Sequence, residues 1–246
     1  DGLAWDEPVI GSLSTSKCGA KTKTAANNCV VQANGLGVYR DPTQAVGSPA
    51  AFRAFGGIGR YGGRLANHGG TMTSSDGLAW SDPVIYDWPD PPQRYDTSNN
   101  IFFDPALKRY VATTRRHPTT AVADGDRAIG IALSAPGSFV FNSSGELPLV
   151  LKGNHTHQIY AMETFKFHQL YMGIAMVYDA TDSVNGRVHC RLVWSKQVHA
   201  GWGFVDENGL AGPDFIPLGR SGPAGSAENA FDSHLCFAAR PVQAAD

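Results

Sequence analysis

Apolar and polar positions along the chain follow the two-residue period of β-strands. The segment Arg187–Trp194 alternates throughout, which predicts a strand with one solvated face. Its apolar positions are Val188, Cys190, Leu192 and Trp194, and its polar positions are Arg187, His189 and Arg191. The neighbouring segments Tyr160–Phe167 and Gln169–Tyr178 have the pattern of a hairpin. This part of the chain is therefore predicted to form an antiparallel sheet.

Similar short strands are predicted along most of the chain. The 28 glycines and 15 prolines suit many strands joined by turns, and the sequence has no long polar or charged run. We therefore expect one all-β domain over residues 1–246. The further strands are predicted at Val30–Gln32, Gly37–Arg40, Ala51–Ile58, Gly69–Ser74, Trp80–Tyr86, Asn100–Phe103, Arg109–Thr114 and Ala128–Ser134, with Phe231–Ala238 as a closing strand.

One short motif recurs and predicts how the strands are grouped. The string Asp-Gly-Leu-Ala-Trp occupies residues 1–5 and again 76–80, and looser strand–turn–aromatic units occur at 133–139 and 193–202. Gly77 can adopt a positive φ, and the carboxylate of Asp76 can accept hydrogen bonds from the amides ahead of it, so the motif predicts a tight hairpin. Units at this spacing indicate the four-stranded blades of a propeller. Because the chain begins at Asp1 and Gly2, inside such a hairpin, we expect its first strand to be missing and the chain to be processed or incomplete.

The motif and several shorter runs resemble known propeller families. The serine–aspartate–glycine–aromatic turn resembles the Asp-box of sialidases, with one residue fewer between aspartate and glycine. The longer pattern resembles the five-bladed β-propellers related to glycoside hydrolase families 32 and 43, the clan that includes invertase-like enzymes and furanosidases. The matching runs are 74–80, 96–105, 110–115, 127–130, 170–173, 192–195, 215–219 and 231–233.

This resemblance implies a five-bladed propeller and a site on its central axis. The related families use three acidic residues, one from each of the first three blades. Arg40-Asp41-Pro42 resembles the Arg-Asp-Pro motif of the invertase-like enzymes, whose aspartate contacts sugar hydroxyls and stabilises developing positive charge. These enzymes also carry a nucleophile or base before the first Asp-Gly turn, where this chain has no residues. That acid lies in sequence not given, or the propeller is catalytically inactive.

Three acids are candidate catalytic residues, and each has a structural alternative. Asp41 matches the motif above, but Asp104-Pro105 repeats the Asp-Pro pair, which also ends strands in ordinary turns. Asp96 precedes a predicted inner strand and can instead form an Asx turn with the residues after it. Glu163 shares a face with apolar residues, where desolvation favours a general acid; an ion pair with arginine is its alternative.

Other polar residues are candidates for binding substrate. Arg40, Arg115 and Arg127 can bind sugar hydroxyls or a carboxylate, or pair with carboxylates at the edge of the core. Tyr160 and Asp232 complete this set, although Asp232 can also cap the closing strand. His155 and His157 lie on one strand face without a fixed third ligand, so no metal site is predicted, and no cofactor motif is present.

Charge and cysteine usage limit the partners and the compartment. The net charge of −2 and the dispersed basic residues give no basis for binding nucleic acid. No apolar run is long enough to span a bilayer. The four cysteines suit an oxidising compartment; Cys18 and Cys29 are predicted to pair, while Cys190 and Cys236 can be a disulfide or free buried thiols. Sequons at Asn142 and Asn154 also indicate a secreted or cell-surface glycoprotein.

Two functions are compatible with these observations. The first is a glycosidase-like propeller that acts on extracellular carbohydrate. The second is a non-catalytic propeller domain of a larger secreted glycoprotein or extracellular assembly, which binds glycan or a neighbouring chain. Converging carboxylates at one mouth of the channel would favour the first function, and an axis plugged by apolar side chains the second.

Overall fold

Within the described residues the architecture is all-β, with three four-stranded antiparallel sheets. A computed structural model describes residues 9–10, 28–31, 33–61, 64–86, 88, 95, 97–117, 127–144, 147–182, 186–220, 222, 230 and 232–241. The first sheet contains β1 (Ala33–Arg40), β2 (Phe52–Tyr61), β3 (Arg64–Ser74) and β4 (Val84–Tyr86). The second contains β5 (Asn100–Asp104), β6 (Arg109–Arg116), β7 (Ala128–Leu133) and β8 (Leu149–Lys152). The third contains β9 (His157–Phe167), β10 (Leu170–Asp179), β11 (Arg187–Ser195) and β12 (Gly203–Phe204).

Each sheet follows the chain in order, so its first strand has only one neighbour in the sheet. The first strand of the second sheet, β5, also packs beside the first strands of the other two sheets, β1 and β9. This arrangement confirms the predicted four-stranded units. Three such sheets lie within the described residues, and a total of five blades stays a prediction. In the described ranges the only helix is a single 3-10 turn at Gly209–Ala211, and no helix there has the length and hydrophobicity needed to cross a bilayer.

Two cores hold the sheets together, one on each face of the second sheet. Ile101, Tyr110 and Ala132 pack toward the first sheet in a cluster with Phe55 and Trp88. The adjacent residues of the same strands point the other way. Phe102, Val111, Ile129 and Ile131 join side chains of the third sheet, among them Met162, Tyr171, Ala175 and Val177. Because both faces are covered, the strands of the second sheet are buried almost continuously and show little alternation.

The predicted alternation in β11 holds for only half of that strand. Val188 and Cys190 are buried as expected, but beyond them the pattern reverses, with Val193 buried and Trp194 37 % exposed. The strand has no bulge against β10, so the two faces are simply covered at different ends. Cys236 and Ala238 cover one face near the start of β11, whereas the second sheet covers the opposite face near Val193.

The second copy of the Asp-Gly motif, at residues 76–80, forms the tight turn that its chemistry predicts, whereas the first copy, at residues 1–5, lies outside the described residues. Gly77 has a φ of +78°, and the amides of Leu78 and Ala79 donate to Asp76 Oδ1 at 2.8 and 2.9 Å. Trp80 Nε1 donates to the Gly77 carbonyl at 3.0 Å, and Trp80 pairs with Ser74 across the turn. The motif therefore closes the first sheet between β3 and its outer strand β4.

The C-terminal segment, residues 232–241, does not form the predicted closing strand. Phe231 lies outside the described residues, and no strand is assigned within 232–241. Leu235 instead forms an isolated parallel bridge with Val188 of β11. The Val188 amide donates to the His234 carbonyl at 3.0 Å, and the Cys236 amide donates to the Val188 carbonyl at 2.9 Å. A disulfide between Cys190 and Cys236 fixes this attachment, which resolves the alternatives that the sequence left open.

Candidate functional site

A pocket opens where the first strands of all three sheets meet the C-terminal segment, and we call it the inner-strand pocket. Its volume is about 390 Å³, which is within the range of small-molecule sites. Residues of β1, β5 and β9 form most of its wall, and the C-terminal segment forms the rest. The lining residues are Gly35–Val38, Ser98–Ile101, Glu163 and Phe237–Arg240.

Close contact between β1 and the start of β5 builds one wall. The Asn99 side-chain amide donates to the carbonyls of Gly35, Tyr95 and Thr97 at 2.6, 3.0 and 3.0 Å. The Thr114 hydroxyl donates to Asn99 Oδ1 at 2.5 Å, so this buried amide is held at both ends. Gly37 permits the approach, because a Cβ there would lie 2.2 Å from the Asn99 carbonyl oxygen.

Glu163 of β9 brings a carboxyl group to this pocket. The residue is 7 % exposed, and burial raises its pKa to about 7. Asn100 Nδ2 donates to Glu163 Oε2 at 2.7 Å, and the charge of Arg240 also favours the ionised form, but burial outweighs both effects. Near neutral pH this carboxyl group can therefore hold a proton and release it, as a general acid must.

Arg240 is the cation among the described residues that line the pocket. Its guanidinium carbon lies 5.3 Å from the ring centroids of both Tyr39 and Phe102, a distance at which cation–π attraction holds a guanidinium in place. Burial raises the pKa of Tyr39, so its phenol stays neutral. Sequence reasoning missed both Arg240 and Asn100. Asn100 belongs to one of the matching runs, whereas no motif marks Arg240.

Asp41 lies outside the lining of this pocket. It is fully buried and accepts hydrogen bonds from Arg53 Nε at 2.7 Å, from Tyr110 Oη at 2.5 Å and from the Thr43 amide and hydroxyl at 3.0 and 2.7 Å. Burial alone would raise the pKa of Asp41, but these hydrogen bonds outweigh it and lower the pKa. Described donors thus contact both oxygens of this carboxylate. Asp96, the second predicted acid, lies outside the described residues.

The predicted binding residues do not gather at the inner-strand pocket. Arg40 is exposed and donates to the carbonyls of Asp41, Ala51 and Gln44 beside the first turn. Asp232 lies against Gly219, whose amide donates to the Asp232 carbonyl at 3.2 Å.

Three other predicted residues do meet, at a separate position between the second and third sheets. The guanidinium carbons of Arg115 and Arg127 lie 5.2 and 5.4 Å from the centroid of the Tyr160 ring. Arg127 also donates to the side-chain oxygen of Gln158. None of the three lines the inner-strand pocket.

The remaining candidates concern modification and metal binding. Asn142 and Asn154 are both exposed, and the side-chain oxygen of each accepts hydrogen bonds from the residue two positions ahead. Cys29 is disulfide-bonded, but Cys18 lies outside the described residues, so their pairing stays a prediction. In the described ranges, His155 and His157 belong to no group of three or more metal-ligating side chains.

Comparison with known proteins finds likeness in structure only. No protein-family model matches the chain, and no curated protein sequence matches it. Its fold is similar to that of Bacteroides ovatus xyloglucan PUL GH43B, at 16% identity over 61% of this chain and 25% of that one, with a TM-score of 0.41. It is also similar to a Bombyx mori GH32 β-fructofuranosidase, at 17% identity over 63% and 32% of the two chains, with a TM-score of 0.44.

A third similar structure is the GH43 endo-arabinanase from Bacillus licheniformis, at 12% identity over 72% of this chain and 76% of that one, with a TM-score of 0.35. The chain spans about a quarter and a third of the length of the first two proteins. At these identities the likeness concerns the fold alone. The structural neighbours are glycoside hydrolases of families GH43 and GH32.

Proposed function

We propose that this protein binds carbohydrate in the inner-strand pocket and cleaves a glycosidic bond there, with Glu163 as the general acid. One observation carries the proposal: a buried carboxyl group with a pKa of about 7 lies on the wall of a pocket large enough for a sugar. Glycoside hydrolysis needs a carboxylic acid that protonates the leaving oxygen, and desolvation is the usual way to keep such a group protonated at neutral pH.

Hydrolysis also needs a second carboxylate, and we assign that part to Asp96. This residue directly precedes Thr97 and the pocket-lining run Ser98–Ile101. Asp96 would take the place of the base or nucleophile that the related enzymes carry before their first Asp-Gly turn. We assign Asp41 to the scaffold, because donors of its own chain already engage both of its oxygens. A catalytic role for Asp41 stays a prediction, and its Asn variant tests it.

The test is hydrolysis of a panel of aryl glycosides and plant and microbial polysaccharides. We expect the wild type to release sugar, and Glu163→Gln and Asp96→Asn to lose at least about a hundredfold in kcat, since removal of acid–base catalysis typically costs that much. Glu207→Gln is the matched control, because Glu207 is exposed and lies outside the pocket. Equal activity of Glu163→Gln and the wild type would contradict the proposal.

A non-catalytic binding domain of a larger extracellular glycoprotein or assembly is the second candidate function. One observation favours it: Glu163 is the only carboxyl side chain among the described residues that line the pocket. Under this alternative, calorimetry detects glycan binding to wild type and to Glu163→Gln alike, and no product forms with either protein.

We also propose that the protein is secreted or displayed at the cell surface. The Cys190–Cys236 disulfide and the bonded Cys29 suit an oxidising compartment. Exposed sequons at Asn142 and Asn154 support the same location. Treatment of the native protein with a glycosidase that removes N-linked glycans should lower its mass, and Asn142→Gln with Asn154→Gln should abolish that change.

A further inference from the structure

The charges on the wall of the inner-strand pocket do not balance. Among the described lining residues, Glu163 and Arg240 are the side chains that carry ionisable acid and base groups. A proton held on Glu163 leaves Arg240 as the one charge among these described residues, while Asp96, the carboxylate proposed to complete catalysis, lies outside them. The neighbouring phenol of Tyr39 is neutral and does not compensate the charge of Arg240.

The surroundings of Arg240 leave it suited to a planar anion. The rings of Tyr39 and Phe102 lie at equal distances from the guanidinium carbon, 5.3 Å. No carboxylate of the described residues lies within ion-pair distance of Arg240, whereas Arg53 and Arg191 each contact an aspartate. Guanidinium groups bind carboxylates through two parallel hydrogen bonds, a geometry that a hydroxyl group cannot match.

We propose that the inner-strand pocket selects a sugar that carries a carboxylate, a uronic acid residue, and that Arg240 pairs with this carboxylate. The inference rests on the proposed function, which places carbohydrate in the same pocket. One cation matches one negative charge. A phosphorylated sugar carries close to two negative charges at neutral pH, which one guanidinium does not balance.

The Cys190–Cys236 disulfide gives this selection its structural basis. Cys236 is tied to β11 immediately before Phe237, and the four residues Phe237–Arg240 then line the pocket. The cation that recognises substrate is thus delivered by a segment cross-linked to the third sheet, the sheet that also carries Glu163. The third sheet therefore holds both Arg240, the proposed specificity residue, and Glu163, the proposed acid.

The test is a calorimetric titration with matched pairs of methyl glycosides at constant ionic strength. Methyl glucuronide, galacturonide and mannuronide are each compared with methyl glucoside, galactoside and mannoside. We expect at least one acidic sugar to bind about tenfold more tightly than its neutral partner, since a hydrogen-bonded charge pair contributes on that order. Arg240→Gln should remove this preference, and Arg240→Lys should retain part of it.

Two controls separate this inference from the proposed function. Arg220→Gln alters an exposed arginine outside the pocket and should leave the preference unchanged. Glu163→Gln should retain the preference while losing hydrolysis. Equal affinity for acidic and neutral sugars, or a preference that survives in a folded Arg240→Gln protein, would overturn the inference and leave the proposed function standing. Failure of every sugar to bind the wild type would overturn both.

Discussion

At the scale of single residues, two opposing influences set the protonation of Glu163. Burial penalises its ionised form, while the Asn100 amide and the Arg240 charge favour that form. Burial prevails and raises the pKa from 4.5 to about 7. Asp41 shows the opposite balance, because hydrogen bonds from Tyr110, Arg53 and Thr43 outweigh its burial and lower its pKa. The number of donors thus decides which buried carboxyl group keeps a proton.

The first prediction concerns stability and pH. At low pH the folded and unfolded states both protonate Glu163, and its contribution to stability is fully present. As the pH rises from 4.5 through about 7, Glu163 ionises in the unfolded chain before it ionises in the folded protein. The free energy of unfolding should therefore fall across this window, by up to about 3 kcal/mol from this residue. Urea denaturation of wild type at about pH 5 and about pH 8 measures the decrease.

Glu163→Gln is the control for this prediction, because glutamine keeps the shape and the acceptor for Asn100 but does not titrate. Other groups contribute equally to both proteins, so the difference in their free energies of unfolding isolates Glu163. We expect that difference to change between the two pH values. A constant difference would show that Glu163 ionises normally in the folded state and would remove the basis for its role as an acid.

At the scale of strands and turns, one interaction is repeated between consecutive sheets. Tyr110 of β6 donates to Asp41, which follows β1, and Tyr171 of β10 donates to Asp104 at the end of β5, each at 2.5 Å. In each case an aspartate at the end of a first strand is bound by a tyrosine of the next sheet. Burial and the hydrogen bond to Asp41 together raise the pKa of Tyr110 to about 12, so the phenol remains a donor. This repeat gives the Asp-Pro pairs noted in the sequence a structural role.

The second prediction tests this link in Asp104→Asn. Asp104 is fully buried, and its Oδ1 also accepts a hydrogen bond from Lys166 Nζ at 3.2 Å. Loss of the charge leaves Lys166 without its carboxylate partner, and we expect the free energy of unfolding to fall by about 2–4 kcal/mol. Asp82→Asn, at an exposed position, should change it by less than about 0.5 kcal/mol.

The pH dependence of the same variant gives an independent check. Hydrogen bonds from Tyr171, Lys166 and backbone amides outweigh burial and lower the pKa of Asp104. Its contribution is present above the unfolded-state pKa of 3.8 and is lost as the pH falls through the folded-state pKa. The difference between wild type and Asp104→Asn should therefore shrink in acid. If the difference between wild type and Asp104→Asn did not shrink in acid, the shape of the Asp104 side chain, and not its charge, would account for the stabilisation.

The third prediction concerns the close approach of β1 and β5. In Gly37→Ala the new Cβ would lie 2.2 Å from the Asn99 carbonyl oxygen, so the strands must separate. We expect a loss of about 1–3 kcal/mol in the free energy of unfolding and weaker sugar binding, because this contact shapes the pocket wall. Gly203→Ala in β12 is the control, since nothing lies within 4 Å of its added Cβ. Equal effects of the two substitutions would show that the close approach of β1 to Asn99 does not shape the pocket wall.

Strand positions were predictable from the sequence where the local pattern of apolar and polar residues determines them. The hairpin of β9 and β10 begins and ends within a few residues of its prediction, and the turn at Asp76 and Gly77 forms as its side chains require. The reversal at Val193 and Trp194 was not predictable, because it depends on which neighbour covers each end of the strand. Arg240 was missed for the same reason: only the path of the C-terminal segment brings it to the pocket.

At the scale of the whole molecule, the second sheet is the centre of the described structure. Its two faces carry the two larger cores, so its strands depend on neighbours on both sides. Among the described residues the third sheet has one such neighbour, and the C-terminal segment packs on its other face in a smaller cluster. Here the covalent cross-link compensates for the limited burial. The segment attached in this way also completes the inner-strand pocket. The Cys190–Cys236 disulfide therefore affects both the stability of the fold and the shape of the pocket.

The fourth prediction follows from that coupling and uses the double variant Cys190→Ala with Cys236→Ala. The disulfide joins residues separated by 46 positions, and loop-closure entropy predicts that its loss lowers the free energy of unfolding by about 4 kcal/mol. Loosening of Phe237–Arg240 also admits water to Glu163, so the pKa of this residue should fall toward its ordinary value. Carbon-13 NMR of the labelled carboxyl group measures the pKa at a temperature where the variant is folded. A folded variant in which Glu163 still titrates near pH 7 would show that the segment does not close the pocket.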